Sequence, residues 1–208
     1  MLIEHQGKRP NVHPTAYVAP TATLCGEVTV GAQARVLFGA VLTAEGGSIE
    51  VGAHSIVMEN AVLRASKHHP LRLGDHVLVG PQAYLTGCTV EEDAFLATGT
   101  RVFNGAVVKA RAEVRINAVV HIKTVIPEDE VVPIGWVAVG DPAKILPPDR
   151  HEEIWRVQKP LDFPKYVFGV ERDANGGNIA PLMTERYSRA LARHEDDEIL
   201  EDESLESE

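Results

Sequence analysis

VEEDAFLATGTRVFNGAVVKARAEVRINAVVHIKTVIPEDEVV, residues 90 to 132, decides the fold. Within it an aliphatic side chain returns at every sixth position: Val90, Leu96, Val102, Val108, Val114, Val120, Ile126 and Val132. The same spacing holds in three earlier blocks, Val12, Val18, Leu24, Val30, Val36, Leu42, then Val51, Val57, Leu63, then Leu73, Val79, Leu85. All twenty positions are Val, Leu or Ile, and a small residue sits four places after most of them, as at Ala16, Ala22, Ala34, Ala40, Ser55, Ala61, Ala83, Ala94, Ala106, Ala112 and Ala118.

An α-helix cannot use this pattern. A step of six residues turns it by roughly 600°, so the aliphatic positions would scatter over three faces. A six-residue unit is instead one short strand and a corner, since a strand rises about 3.3 Å per residue. Repeated, the unit coils the chain, with aliphatic residues inside and small residues in the corners. With three sides per coil, the repeats predict an all-β solenoid, a parallel β-helix of about seven coils spaced about 4.8 Å apart. Handedness does not follow from period, because general crossover rules favour right-handed connections in roughly 98% of cases.

Composition agrees. Only 5% of the 208 residues are aromatic, and Val, Ala and Leu fill the core as stacked layers require. The net charge of −10 is concentrated in residues 195–208, which hold nine carboxylates and no base. The body is close to neutral and offers no basic stripe for nucleic acid. No apolar run approaches the length of a membrane span, and the N-terminal MLIEHQGKRP has no signal-peptide core. Two cysteines, Cys25 and Cys88, suit a reducing compartment. The expectation is a cytoplasmic protein with neither nucleic acid nor membrane as partner.

The phase breaks point to the site. Extra residues enter after Leu42 (TAEGGSIE) and after Leu63 (RASKHHPLR), and one residue is missing between Leu85 and Val90. Long loops on a rigid solenoid are where sites are grafted. With the stretch Pro70, Leu71, Leu73, Gly74, the segment Leu85, Thr86, Gly87, Cys88 and the ending VAVGDPAKILPP (Val137 to Pro148), the chain resembles the γ-class carbonic anhydrases of the hexapeptide-repeat superfamily. The resemblance covers residues 10 to 149. It implies a left-handed β-helix over residues 10–148 and a homotrimer. A C-terminal α-helical extension follows over 149–194, packing on the prism, and an acidic, disordered tail over 195–208.

The family's zinc is held by three histidines, and the matching positions here are Arg64, Pro81 and Thr86. None is a histidine, and neither guanidinium nor proline offers the lone pair that zinc needs. The family's Arg-Gly-Asp becomes Thr43, Ala44, Glu45, and its Gln-Asp becomes Met58, Glu59. The resemblance therefore implies no zinc at this site and loss of zinc-dependent CO2 hydration.

Counting repeats in threes places Cys25, Thr43, Arg64, Thr86, Phe103 and His121 in one ladder along a side of the prism. Arg64 then stands between two threonines, where a guanidinium can take a small carboxylate, bicarbonate or phosphate in bidentate fashion. The candidate anion site is Arg64, Thr43 and Thr86 with Glu45 and Glu59. The plainer alternative is an ion pair of Arg64 with Glu45 or Glu59 at a subunit contact. His54 and His76 stack on adjacent coils with Asp93 one coil further, a candidate for a relocated metal set against an ordinary outward-facing polar column. His68 and His69, on the second insertion, are either solvated loop residues or a general base for acyl transfer.

The C-terminal extension reads as a short helix over Asp149 to Gln158 stopped by Pro160, then the aromatic segment Leu161 to Gly169, a turn at Asn175 to Asn178, and a helix from Pro181 to His194. Leu182, Met183, Tyr187, Ala190 and Leu191 form its apolar face, with Arg186, Arg189 and Arg193 on the other. Three functions compete: a trimeric binding or assembly protein of γ-carbonic-anhydrase type without zinc, a CoA-dependent acyltransferase, and a metalloenzyme with a relocated metal.

Overall fold

The computed structural model describes residues 1–172 and 177–200. The repeats wind into a parallel β-solenoid with three sides. One side stacks Val12, Val30, Val51, Leu73, Val90, Val108 and Ile126. The second stacks Leu24, Leu42, Leu63, Leu85, Val102 and Val120. The third stacks Val18, Val36, Val57, Val79, Leu96, Val114 and Val132. The coil is left-handed. The second side gains a rung at each end, because Leu2 pairs with Leu24 and Ala138 with Val120, so it counts eight levels.

Sequence accounts for each layer. Past the first coil, where Val12 and Val18 are only partly covered, the inward residues are buried, as at Leu63, Leu85 and Val120, and the small residues at the fourth place after them fill the corners, as at Ala61, Ala83 and Ala118. Where a corner holds a hydroxyl it is satisfied within the coil: Ser55 Oγ donates to Gly74 O at 2.7 Å and accepts from Val77 N at 2.9 Å. The bend itself uses a left-handed residue three places after the aliphatic, giving the columns Gln33, His54, His76, Asp93, Arg111, Asp129 and Asn60, Gln82, Asn117. Asn, Asp and His, which fill most of these positions, adopt that conformation more readily than other side chains.

The C-terminal end of the solenoid closes with an antiparallel return, Val137–Val139 against Lys144–Leu146. Helix α1, His151–Gln158, seats the buried Ile154 there. After a short π-helical turn at Pro164–Phe168, helix α2, Ala180–Leu191, runs back along the second side toward the N-terminus. The chain then adds a strand, Glu198–Leu200, antiparallel to Leu2–Glu4. Part of the expected turn at 175–178, and the tail from 201 to 208, lie outside the described residues, but Glu195 to Leu200 are described and include that strand. Among the described residues no helix is long and apolar enough to cross a membrane.

Candidate anion-binding site

The ladder predicted from the repeat count is in register: Cys25 pairs with Thr43, Thr43 with Arg64, and Arg64 with Thr86. Phe103 and His121 continue it, their rings 6.4 Å apart. Inward anchoring of Leu42, Leu63 and Leu85 forces the next residue of each strand to face out, which is why Arg64 leaves the core. Gly87 ends the segment at φ +49°, where a side chain would collide with His69.

The Arg64 guanidinium donates through Nη2 to both Glu45 and the Tyr187 hydroxyl of α2. Burial works against its charge, but the hydrogen bond and charge of Glu45 outweigh it and raise its pKa, so the group is cationic at every working pH. Nε and Nη1 make no hydrogen bond to any described residue. Through the Tyr187 hydroxyl the chain's own extension lies over Arg64.

Between the ladder and α2 lies a cavity of about 360 Å³. Its polar lining includes four cations, Arg64, Lys67, Arg186 and Arg193, against one carboxylate, Glu45. Its apolar lining comprises Tyr84, Phe103, Phe163, Val167, Phe168 and Tyr187, with Phe168 and Tyr187 edge to face at 5.8 Å. Thr86 lines it beside Arg64. Arg186 and Arg193 were expected on the far side of α2; with Ala190 they form the line i, i+4, i+7 on the cavity rim.

Other residues singled out in the sequence fall elsewhere. Pro81 sits one corner away from Arg64, its carbonyl accepting from Gly99 N at 2.9 Å, and Glu59 occupies the equivalent corner one coil before, pairing through its backbone with Gln82. Glu59 makes no ion pair with Arg64. The His54 and His76 rings stack at 4.9 Å and 1°, solvent-exposed, with Asp93 exposed on the next coil. His68 lines the cavity and is exposed, while His69 packs against Tyr166 at 4.8 Å and burial lowers its pKa. His121, half-buried, has an Nδ1 without a partner among the described residues, and burial lowers its pKa as well.

No family model matches the chain. It is similar to the protein named Gamma carbonic anhydrase 1, mitochondrial, of Arabidopsis thaliana, 34% identical over 153 residues, which is 71% of this chain and 54% of that one. Gamma carbonic anhydrase 2, mitochondrial, of the same plant is 29% identical over 197 residues, 92% of this chain and 69% of that one. Among solved structures, a hexapeptide transferase family protein from Anaplasma phagocytophilum superposes with a TM-score of 0.52 and 28% identity, covering 77% of this chain and 91% of that one. This is a γ-carbonic-anhydrase-like hexapeptide-repeat protein. It spans about half the length of the first of these relatives.

The zinc of the γ-class carbonic anhydrases does not fit the residues at the matching positions. Arg64 commits its guanidinium to Glu45 and Tyr187, and Pro81 has no side-chain donor atom. What the γ-carbonic-anhydrase-like chain holds instead is a fixed cation at the end of an apolar cavity. The sequence showed the ladder but not the cavity, because its far wall comes from Phe163 to Arg193, a hundred residues on; the one local signal was the aromatic segment Leu161 to Gly169.

Proposed function

We propose that this chain is a trimeric binding or assembly protein in which zinc-dependent CO2 hydration has been lost and the vacated position binds a small organic anion. The reading rests on one observation: the cavity over Arg64 sets four cations against one carboxylate and continues into an aromatic wall. A carboxylate with a short apolar body suits it better than bicarbonate. Its charge would meet the free edge of the Arg64 guanidinium and the Thr86 hydroxyl, and its body would displace water from Tyr84, Phe103 and Phe168. Two unpaired, buried cysteines support a reducing compartment such as the cytoplasm.

The trimer is supported by the third side of the prism. There Ile56, Leu78 and Phe95 stack in register and point outward, half-buried in the single chain, bounded in the same column by Arg35 and Glu113, with Tyr17 and Val131 exposed beyond them. That stripe leaves apolar surface for a second copy to cover. Acyl transfer is the second reading, favoured by the likeness to a hexapeptide transferase family protein.

A thermal-shift series tests the first reading. Acetate, butyrate and hexanoate at constant ionic strength should raise the melting temperature progressively, since a ligand bound only by the folded state stabilises it by mass action. Arg64→Ala should abolish the response. A rise produced by CoA and by no carboxylate would favour acyl transfer instead.

A further inference from the structure

At the N-terminal end of the ladder, apart from Arg64, four donor side chains from three distant parts of the chain meet. His5 follows the first strand, Cys25 stands in the first full coil, and His194 and Asp197 follow α2. One ligand atom from each lies within 4.8 Å of all the others, and among the described residues this is the one such group of His, Cys, Asp and Glu. His5 Nδ1 is 2.5 Å from Asp197 Oδ1, His194 Nδ1 is 2.7 Å from Oδ2, and Cys25 Sγ is 3.6 Å from Oδ2. The two imidazoles stack at 4.3 Å. His5 and Cys25 are almost completely buried, at 2% and 4% exposure, which is far from the solvated setting of an ordinary surface cluster.

We infer that His5, Cys25, His194 and Asp197 form a binding site for a zinc-class divalent cation that clasps the C-terminal segment onto the N-terminal strand. Two neutral imidazoles, a thiolate and a carboxylate are a four-donor set of mixed N, S and O character, which suits tetrahedral Zn²⁺ rather than Mg²⁺ or Ca²⁺. Their combined charge of about −2 balances the ion, so a half-buried site holds no net charge. The other ring nitrogen of His5 faces the Gln6 side-chain amide at 2.6 Å, and with the amide turned over its oxygen would accept the N–H of a ligand imidazole. The His194 to Asp197 spacing of three residues presents both donors from one short 3-10 turn, Ala192–Asp196 and its cap. Directly after it Glu198–Leu200 pairs with Leu2–Glu4, so the ion would fasten the closing strand. His5, Arg193 and His194 also line the cavity over Arg64, which places the clasp at the mouth of that cavity.

The site stands on its own geometry and does not depend on anion binding. The test uses the full chain, stripped with a chelator and titrated with Co²⁺ and then Zn²⁺ under reducing conditions. One Co²⁺ per chain should bind with a thiolate-to-cobalt charge-transfer band in the near ultraviolet, and Zn²⁺ should displace it. Cys25→Ser should lose the band, and His194→Ala, at a half-exposed position that the solenoid does not need, should lose stoichiometric uptake while keeping the far-ultraviolet dichroism of the fold. The double variant His54→Ala/His76→Ala should behave as wild type. No saturable uptake, uptake without the band, or uptake unchanged in His194→Ala would each overturn the inference and leave a hydrogen-bonded latch of two histidines on Asp197.

Discussion

A guanidinium at position 64 inverts what its place in the ladder can do. A histidine there lends an electron pair to a cation, whereas Arg64 is itself the cation and attracts what a metal would have attracted, a negative oxygen. Its neighbours Thr43 and Thr86 were legible from counting sixes, because anchoring Leu42, Leu63 and Leu85 inward leaves no freedom in the residue that follows. Choosing Glu45 over Glu59 as the ion partner was not legible. That choice depends on which residue shares the strand, and Glu45 pairs in register with Ser66, two places beyond Arg64, while Glu59 lies around a corner. Nor does anything near His5 in the sequence announce Asp197, since their meeting requires the whole extension to return along the prism.

His121 and His69 give the residue scale a pH signature. Both are held neutral by burial, so their pKa values lie below the ordinary 6.5 in the fold. Between the depressed values and about 6.5 the unfolded chain binds more protons than the folded one, so stability rises with pH in that window. Stability should be full above about pH 6.5 and fall as the medium is acidified below it, and His121→Phe should flatten the curve. The Asp197 carboxyl, held below its usual range by His194 and His5 against the opposing effect of burial, contributes only at far lower pH, below about 4. A melting temperature that is unchanged from pH 7 to pH 5 would contradict this account of His121.

Elements differ in how firmly they are held. The solenoid strands are buried on one face and paired on both edges, while α2 has no fully buried residue and leaves Leu182 51% exposed. Truncating Leu63 should cost about 2 to 5 kcal/mol by opening a cavity in the column. Truncating Leu182 should change stability by less than about 0.5 kcal/mol. Chemical denaturation of the two variants makes the comparison, and equal costs would mean that α2 is part of the core. Amides of α2 should likewise exchange sooner than those of the strands. The sequence foresaw the helix through Pro181 and its apolar spacing. It misplaced Arg186 and Arg193: only Met183, Tyr187 and Leu191 of the helix are partly buried, and the neighbouring line of arginines lies on the cavity.

On the scale of the whole molecule, two sides of the prism have different fates. The second carries the chain's own extension, and the third presents Ile56, Leu78 and Phe95 outward. A trimer should therefore form through the third side and leave the cavity within each subunit. Sedimentation should show three chains at micromolar concentration, and Phe95→Glu should give monomers that still respond to carboxylates. A wild-type monomer would contradict the assembly. The period of six made the prism readable from end to end, because each repeat contacts only its neighbours and local pattern becomes global structure. The extension follows no repeat, so its path had to be seen.

At the second insertion the fixed cation Arg64 faces a cavity with an aromatic wall, where a small carboxylate should bind. Calorimetric titration of the full chain with hexanoate, beside Arg64→Ala, measures it most directly. The wild type should show one saturable site per chain, tighter for hexanoate than for acetate, and Arg64→Ala no saturable heat. Equal binding by the two proteins, or no saturable binding of any carboxylate to the wild type, would contradict it.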